Sequence, residues 1–332
     1  MPLFGKKPAQ KATRIFFATD VHGSEVSFRK FVNAGKFYEA DVLILGGDVA
    51  GKLLIPIVQE GGQYRARLHG QTHAMSTEAD LAEFKKKLGT LGFYSILLSP
   101  DEYNAMKDDR AAIEREFVKA ARQRLVDWVH LAEERLKGTQ RKCYVTGGND
   151  DPWEVLAALE ENAQAGSRVV PCEGHVVKID DDHTMVSLGY SNETPWHTPR
   201  EITEGELAER IEEAVKGVSD FSHCVFNFHC PPKDSTLDTC PMLDTSTDPP
   251  TVIMEAGNPV LFGAGSTSVR AAIDKYQPLL ALHGHIHESR GAIKIGRTQC
   301  INPGSEYGEG ILHGVIVNLN GGKIEGYQLT SG

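Results

Sequence analysis

No stretch of this 332-residue chain approaches the roughly 20 consecutive apolar residues of a membrane span, which argues against a membrane protein. The segment from Met1 to Arg14 is basic like the start of a secretion signal, but the apolar residues after it, Ile15 to Ala18, are too few for a signal core. Cysteine is sparse and scattered, at 143, 172, 224, 230, 240 and 300, with no Cys-x-x-Cys pair; neither a zinc ribbon nor a disulfide framework is expected. Reduced thiols and a cytoplasmic location are the expectation. Positive charge is also in deficit. Lys plus Arg number 35 against 45 Asp plus Glu, a net charge of −10, the wrong sign for a general nucleic-acid surface. Any phosphorylated substrate must therefore be attracted locally. No internal repeat is found.

What is present is a series of short apolar runs that end in polar residues. Leu279-Leu-Ala-Leu282 leads into His283, His285 and His287, and alternate side chains of an extended segment share a face. One such histidine would be a hydrogen-bonded strand residue. Three in five positions, with a glycine between, point to metal ligands. Arg14 to Thr19 reads as a strand ending at Asp20-Val-His22-Gly23, followed by a helix from Ser24 in which Phe28, Phe31 and Val32 recur at helical spacing. Asp41 to Leu45 reads as a strand ending at Gly46-Gly-Asp48. Cys143 to Thr146 runs into Gly147-Gly-Asn149-Asp150-Asp151-Pro152, where Asp151, Pro152 and Glu154 fit the start of a helix. His223 to Phe228 ends at His229. Strands that end in polar residues ahead of helices predict an α/β sheet with its site on the strand ends.

Residues 51–140 break this alternation and read as an insertion: a hairpin about Gly61-Gly62, a helix over 77–88, and a long helix from Ser99 to Gly138 with the apolar stripe Ile113, Phe117, Ala121, Leu125 and Trp128. Strands near Val169, over 175–179 and over 184–190 alternate as antiparallel hairpins do. A capped helix starts near Thr203, with Glu206 three residues on. Residues 233–258 lack periodicity and read as a long loop, a candidate lid. Residues 1–13 read as a disordered basic tail.

The order of these motifs resembles the calcineurin-like metallophosphoesterases, whose pattern runs Asp-x-His, Gly-Asp, Gly-Asn-His-Asp/Glu, His, Gly-His-x-His. The matching residues are Asp20-Val-His22, Gly47-Asp48, Gly148-Asn149-Asp150-Asp151, His229 and Gly284-His285-Ile286-His287. The resemblance implies a four-layer αββα sandwich of two mixed β-sheets flanked by helices, with residues 14–330 as one domain carrying the 51–140 insertion. It implies two divalent metal ions: Asp20, His22 and His287 on the first, Asn149, His229 and His285 on the second, and Asp48 bridging them, with His283 outside the set. Imidazole and oxygen donors suit Mn, Fe, Zn, Co or Ni. The implied activity is hydrolysis of a phosphate ester, by a phosphodiesterase or phosphatase in which a metal-bound hydroxide attacks phosphorus. The expected substrate is a small phosphodiester or nucleotide. A nuclease and a non-catalytic scaffold are the alternatives, and a homo-oligomer is left open. One position departs from the pattern: Asp150 stands where the family has a catalytic histidine. It could be an acid with a raised pKa, a partner of His229 or His285, or a polar residue ahead of the helix.

Overall fold

The strand Thr13–Ala18 is apolar on both faces, a pattern that requires cover on both sides. In the computed structural model, which describes residues 12–247 and 249–332, that cover is different on each face. Phe16 and Ala18, with Leu43 and Leu45 of Val42–Gly46 and Cys143 and Val145 of Lys142–Thr146, pack under the helices Glu25–Phe37 and Arg110–Leu136 through Phe31, Leu125 and Trp128. Ile15, Phe17, Val42, Ile44 and Tyr144 face the other way, onto Met185, Val225, Leu280, Leu282 and Ile301 of a second sheet. The far face of that sheet, with Val186, Leu188, Phe226 and Phe228, packs on Leu207, Ile211, Val269 and Ile273 of two further helices, Glu204–Val215 and Thr267–Tyr276. Three apolar interfaces between four layers make an αββα sandwich, as expected.

Each six-stranded sheet has a run of four parallel strands, flanked by antiparallel strands on one side in the first sheet and on both sides in the second. In the first, Thr13–Ala18, Val42–Gly46, Lys142–Thr146 and Val169–Pro171 run parallel, and His313–Leu319 and Ile324–Ser331 close one side antiparallel. In the second, Thr184–Leu188, Cys224–Phe228, Leu280–Leu282 and Thr298–Asn302 run parallel between the antiparallel strands Val176–Lys178 and Gly291–Ile295. The C-terminal ends of the central strands carry Asp20, Asp48, Asn149, His229 and the 283–287 stretch.

Several expectations are corrected. The alternation over 169–190 gives one hairpin, 176–178 with 184–186, but Thr184–Leu188 also pairs parallel with Cys224–Phe228, and Val169–Pro171 pairs parallel with Lys142–Thr146 at the edge of the first sheet. The single helix expected from Ser99 to Gly138 is two, Pro100–Met106 and Arg110–Leu136, because the Asp109 side chain accepts from Ala112 N (3.0 Å) and starts a new helix. Residues 51–140 hold a whole sheet: Leu54–Glu60, Gln63–Leu68 and Gln71–Met75 form a meander, and Tyr94–Leu98 pairs parallel with Leu54–Glu60. Residues 233–258 are not a plain loop. Short antiparallel pairs run up the arm, Thr239–Pro241 with Leu261–Gly263 and Leu243–Asp244 with Thr251–Val252. Buried Asp238 braces the base by accepting from Asp234 N (2.9 Å), Ser235 N (3.0 Å) and Gly265 N (3.1 Å). Of the expected tail, residues 1–11 lie outside the described residues and Thr13 already belongs to the first strand. No helix among the described residues is long and apolar enough to cross a membrane.

Candidate metal centre

The loops that leave the first two parallel strands stay paired beyond the sheet: Asp20 N donates to Gly47 O (3.0 Å), His22 N to Asp48 O (2.9 Å) and Gly23 N to Val49 O (2.8 Å). To make these bonds while turning side chains inward, the backbone takes up positive φ at Asp20 (52°), His22 (40°) and Asp48 (48°), and across the cleft at His285 (67°). Each such non-glycine residue costs about 1–3 kcal/mol, and clustering of this kind marks sites where geometry matters more than local stability. Gly47 is required for a different reason. A Cβ there would lie 2.3 Å from His229 Nδ1.

All seven expected ligands converge, and their donor atoms face one another. His22 Nε2 and His287 Nε2 are 3.1 Å apart, and His287 Nε2 is 3.3 Å from Asp20 Oδ1. His229 is oriented by its Nδ1–H, which donates to Gly46 O (3.0 Å), so its Nε2 faces Asp48 Oδ2 (3.4 Å) and Asp20 Oδ1 (3.7 Å). Asp48 Oδ2 is also 3.6 Å from His22 Nε2, so one carboxylate oxygen lies between the two histidine sets. His285 Nδ1 meets Asn149 Oδ1 at 2.7 Å. His283, by contrast, turns into the sheet, where its Nδ1 donates to Phe228 O (2.7 Å).

These contacts test whether the residues suit metal ions. Two imidazole nitrogens at 3.1 Å, and an imidazole nitrogen against an amide oxygen, need a proton or a cation between them. His22 Nδ1, His229 Nε2 and His285 Nε2 are buried atoms without a hydrogen-bond partner. Asp20 and Asp48 are buried as well. Burial alone would raise their pKa values, but His229 overrides it, and both carboxyls are held well below the usual range. The reciprocal effect shows on His229: burial disfavours its charge, yet Asp48 and Asp20 push its pKa up to about 10. His22 is lowered to about 3 and His285 to about 4, mainly by burial. Two buried carboxylates thus call for positive charge in a pocket where His22 and His285 are held neutral and His229, beside both carboxylates, is driven to take up a proton. That donor set fits divalent ions.

Partners outside the expected set hold these side chains. Thr198 Oγ1 donates to Glu201 Oε1 (2.8 Å), so it accepts from Asn149 Nδ2 (2.9 Å), which leaves Asn149 Oδ1 facing His285. Asp151, expected to cap a helix, does something else; the cap of Trp153–Asn162 is Pro152, with no side-chain bond. The buried Asp151 carboxylate accepts from Ala50 N (2.8 Å), Val49 N (3.0 Å) and Gly148 N (2.7 Å), tying the Asp48 loop to the Asn149 loop. Its pKa is pushed up to about 7 by burial and then by the Asp48 charge, against those three bonds. In Asp151→Ala three buried N–H groups lose their acceptor, at about 1–3 kcal/mol each. We expect a lower melting temperature together with metal affinity weakened about 10- to 100-fold, measured by thermal denaturation and metal titration. Unchanged affinity would remove Asp151 from the support of the site.

Asp150, the departure from the family pattern, is ion-paired with Lys52 Nζ and lies 3.8 Å from His22 Nδ1. Its pKa is raised by burial and by Asp48, with Lys52 opposing. Four of the seven expected ligands line a cavity of about 840 Å³. Asp48, Asn149, Asp150, His285 and His287 line it together with the apolar side chains of Trp196, Met242, Leu243, Val252 and Phe262, four of these five from the 239–263 arm.

Fold and site together define the class: an αββα sandwich with a buried Asp/His/Asn cluster where parallel strands of both sheets end. Among particular proteins, the chain is 31% identical over 158 residues to the uncharacterised protein MJ1162 of Methanocaldococcus jannaschii, a match that covers 47% of this chain and 61% of that protein. The chain thus spans less than two thirds of that relative's length. The crystal structure of TT1561 of Thermus thermophilus shares the fold, with a TM-score of 0.54 at 13% identity over 97% of this chain and 99% of that one. A second crystal structure aligns with a TM-score of 0.56 at 14% identity over 96% and 98%. A structure described as a novel archaeal phosphodiesterase aligns over 96% and 99% with a TM-score of only 0.34 at 12% identity, too low to bear on this chain. No family model matches.

Proposed function

We propose that the chain is a two-metal phosphoesterase of the calcineurin-like class acting on a small phosphate ester. The observation that carries this reading is the placement of Asp48 Oδ2 between His22 Nε2 (3.6 Å) and His229 Nε2 (3.4 Å), a shared anionic oxygen flanked by two ligand sets. Asp20, His22 and His287 would hold one ion and Asn149, His229 and His285 the other. Divalent ions bound there supply Lewis-acid stabilisation of phosphoryl oxygens and a water acidic enough to attack near neutral pH. The protein's own contribution is to aim the donors: Gly46 O sets the His229 ring, Thr198 sets the Asn149 amide, and Asp151 holds the two loops in register. A small organic ester agrees with the cavity, whose lining combines apolar side chains with the charged cluster. A nucleic-acid strand agrees less well, because Lys52 is the sole Lys or Arg among the described residues that line it.

The test is to load the protein with Mn²⁺, count ions per chain, and assay a nitrophenyl phosphate monoester and the corresponding diester. Two ions per chain and turnover of at least one ester are expected. Two ions with no turnover of either would replace this reading by a non-catalytic scaffold.

A further inference from the structure

Lys52 belongs to no motif in the chain, yet among the described residues it is the one ammonium lining the cavity at the metal cluster. The backbone leading to it is pinned: Ala50 N donates to Asp151 Oδ1 (2.8 Å) and Gly51 N to Tyr94 Oη (2.7 Å). Its side chain is about half exposed (46%), while its partner Asp150 is 13% exposed. Asp150 is itself fixed, since its backbone N–H donates to Asp48 Oδ1 (3.0 Å). The chain of contacts Asp48, Asp150, Lys52 therefore sets the ammonium at a defined place beside the bridging carboxylate and in the cavity lining. A partly exposed Lys–Asp pair contributes little to folding, so stability gives no reason for this arrangement. An ammonium has three donors, and Asp150 takes one.

We propose that Lys52 binds the non-bridging oxygens of the substrate phosphoryl group, with Asp150 as the residue that positions it. This rests on the phosphoesterase reading. Asp150 is then neither an acid in its own right nor a bystander; it is the anchor that brings a cation from another segment to the cavity beside Asp48. The charge count agrees. Lys52 and Asp150 are neutral as a pair, so the pair leaves the surplus positive charge of a loaded centre intact while adding directed donors. Its burial and the nearby Asp150 and Asp48 charges act on Lys52 in opposite senses, and the carboxylates prevail, keeping the amine protonated more firmly than usual.

The experiment compares Lys52→Met and Lys52→Arg with the parent, all Mn²⁺-loaded, by calorimetric titration with inorganic phosphate, by metal content and by thermal denaturation. Lys52→Met is expected to keep both ions and its melting temperature but to bind phosphate about 10- to 100-fold more weakly, the loss typical of a hydrogen bond to a charged group. Lys52→Arg should recover most of that loss. Ester turnover in Lys52→Met should fall by a similar factor in kcat/KM. Unaltered phosphate affinity in Lys52→Met with both ions retained overturns the proposal, as does a parent protein that binds two ions but no phosphate. Because phosphate binding is read separately from turnover, a chain that hydrolyses no ester yet loses phosphate affinity in Lys52→Met would refute the enzymatic reading and leave the anion site standing.

Discussion

In Asp48→Asn, metal content falls from two ions per chain to one or none, and turnover falls at least about 100-fold, beyond the effect of losing a partner outside the ligand set. The reason is geometric as much as electrostatic. Asp48 Oδ1 already accepts from Asp150 N (3.0 Å), and Oδ2 lies between His22 Nε2 and His229 Nε2. An asparagine must place either its oxygen or its NH₂ at each of these positions. With the NH₂ inward, a donor replaces the anionic oxygen expected to be shared. With the NH₂ outward, it meets the Asp150 N–H, and the inward oxygen carries no charge. Neither rotamer supplies an anion to both ligand sets. The effect should also be local: Gly46 O still orients His229, Asp151 still ties the loops, and the fold should survive. Elemental analysis after loading, read beside turnover, checks this. A variant that keeps two ions and full turnover would remove Asp48 from the bridging position.

The residues of the candidate site were legible in the sequence because each side chain lies within a few residues of a buried strand's end, where apolar periodicity gives way to Asp, His or Asn. What holds those residues was not. Asp151 looks locally like a helix cap, and its true acceptor role toward Val49 and Ala50 crosses a span of chain (102 and 101 positions) that no local pattern covers. Thr198 and Glu201 sit in a polar stretch without periodicity, and only the Asn149 contact reveals their use. Lys52 sits in a turn ahead of a sheet whose local pattern shows only a hairpin. The four layers were legible only through the family resemblance, because apolar runs such as Ile15 to Ala18 and Val42 to Leu45 record burial on both faces without recording what covers either one. The strand character of residues 239–263 was hidden for a related reason. Its pairs are two or three residues long, too short to establish a period of two.

Arg200→Ala is expected to cost about 3–5 kcal/mol of folding stability, the penalty for leaving one member of a buried ion pair without the other. Arg200 is among the largest fully buried side chains, and its Nη2 pairs with Glu173 Oε1. The guanidinium packs against two neighbouring aromatic rings, its carbon 4.3 Å from the Trp153 ring centre and 4.7 Å from that of Tyr190. It fits there because Gly147 and Gly189 carry no Cβ; one at Gly147 would lie 2.3 Å from Nη1 and one at Gly189 2.7 Å from Nη2. Those glycines follow Lys142–Thr146 of one sheet and Thr184–Leu188 of the other, so a single side chain clamps the two sheets at the edge that carries the site. Its backbone joins in, since Arg200 N donates to Asn149 O (3.0 Å). Removing the guanidinium strands the Glu173 carboxylate, which is 13% exposed and keeps only the Gly189 N–H (3.1 Å) among its hydrogen bonds here. Much of the cost should therefore be relieved by removing that charge as well. Chemical denaturation of Arg200→Ala and of the double variant Arg200→Ala/Glu173→Gln separates the two contributions: a partial recovery in the double variant assigns the loss to the stranded carboxylate, and no recovery assigns it to the lost packing against Trp153 and Tyr190. A single variant within about 1 kcal/mol of the parent, as for a surface pair, would mean that the sheets hold their edge without this clamp.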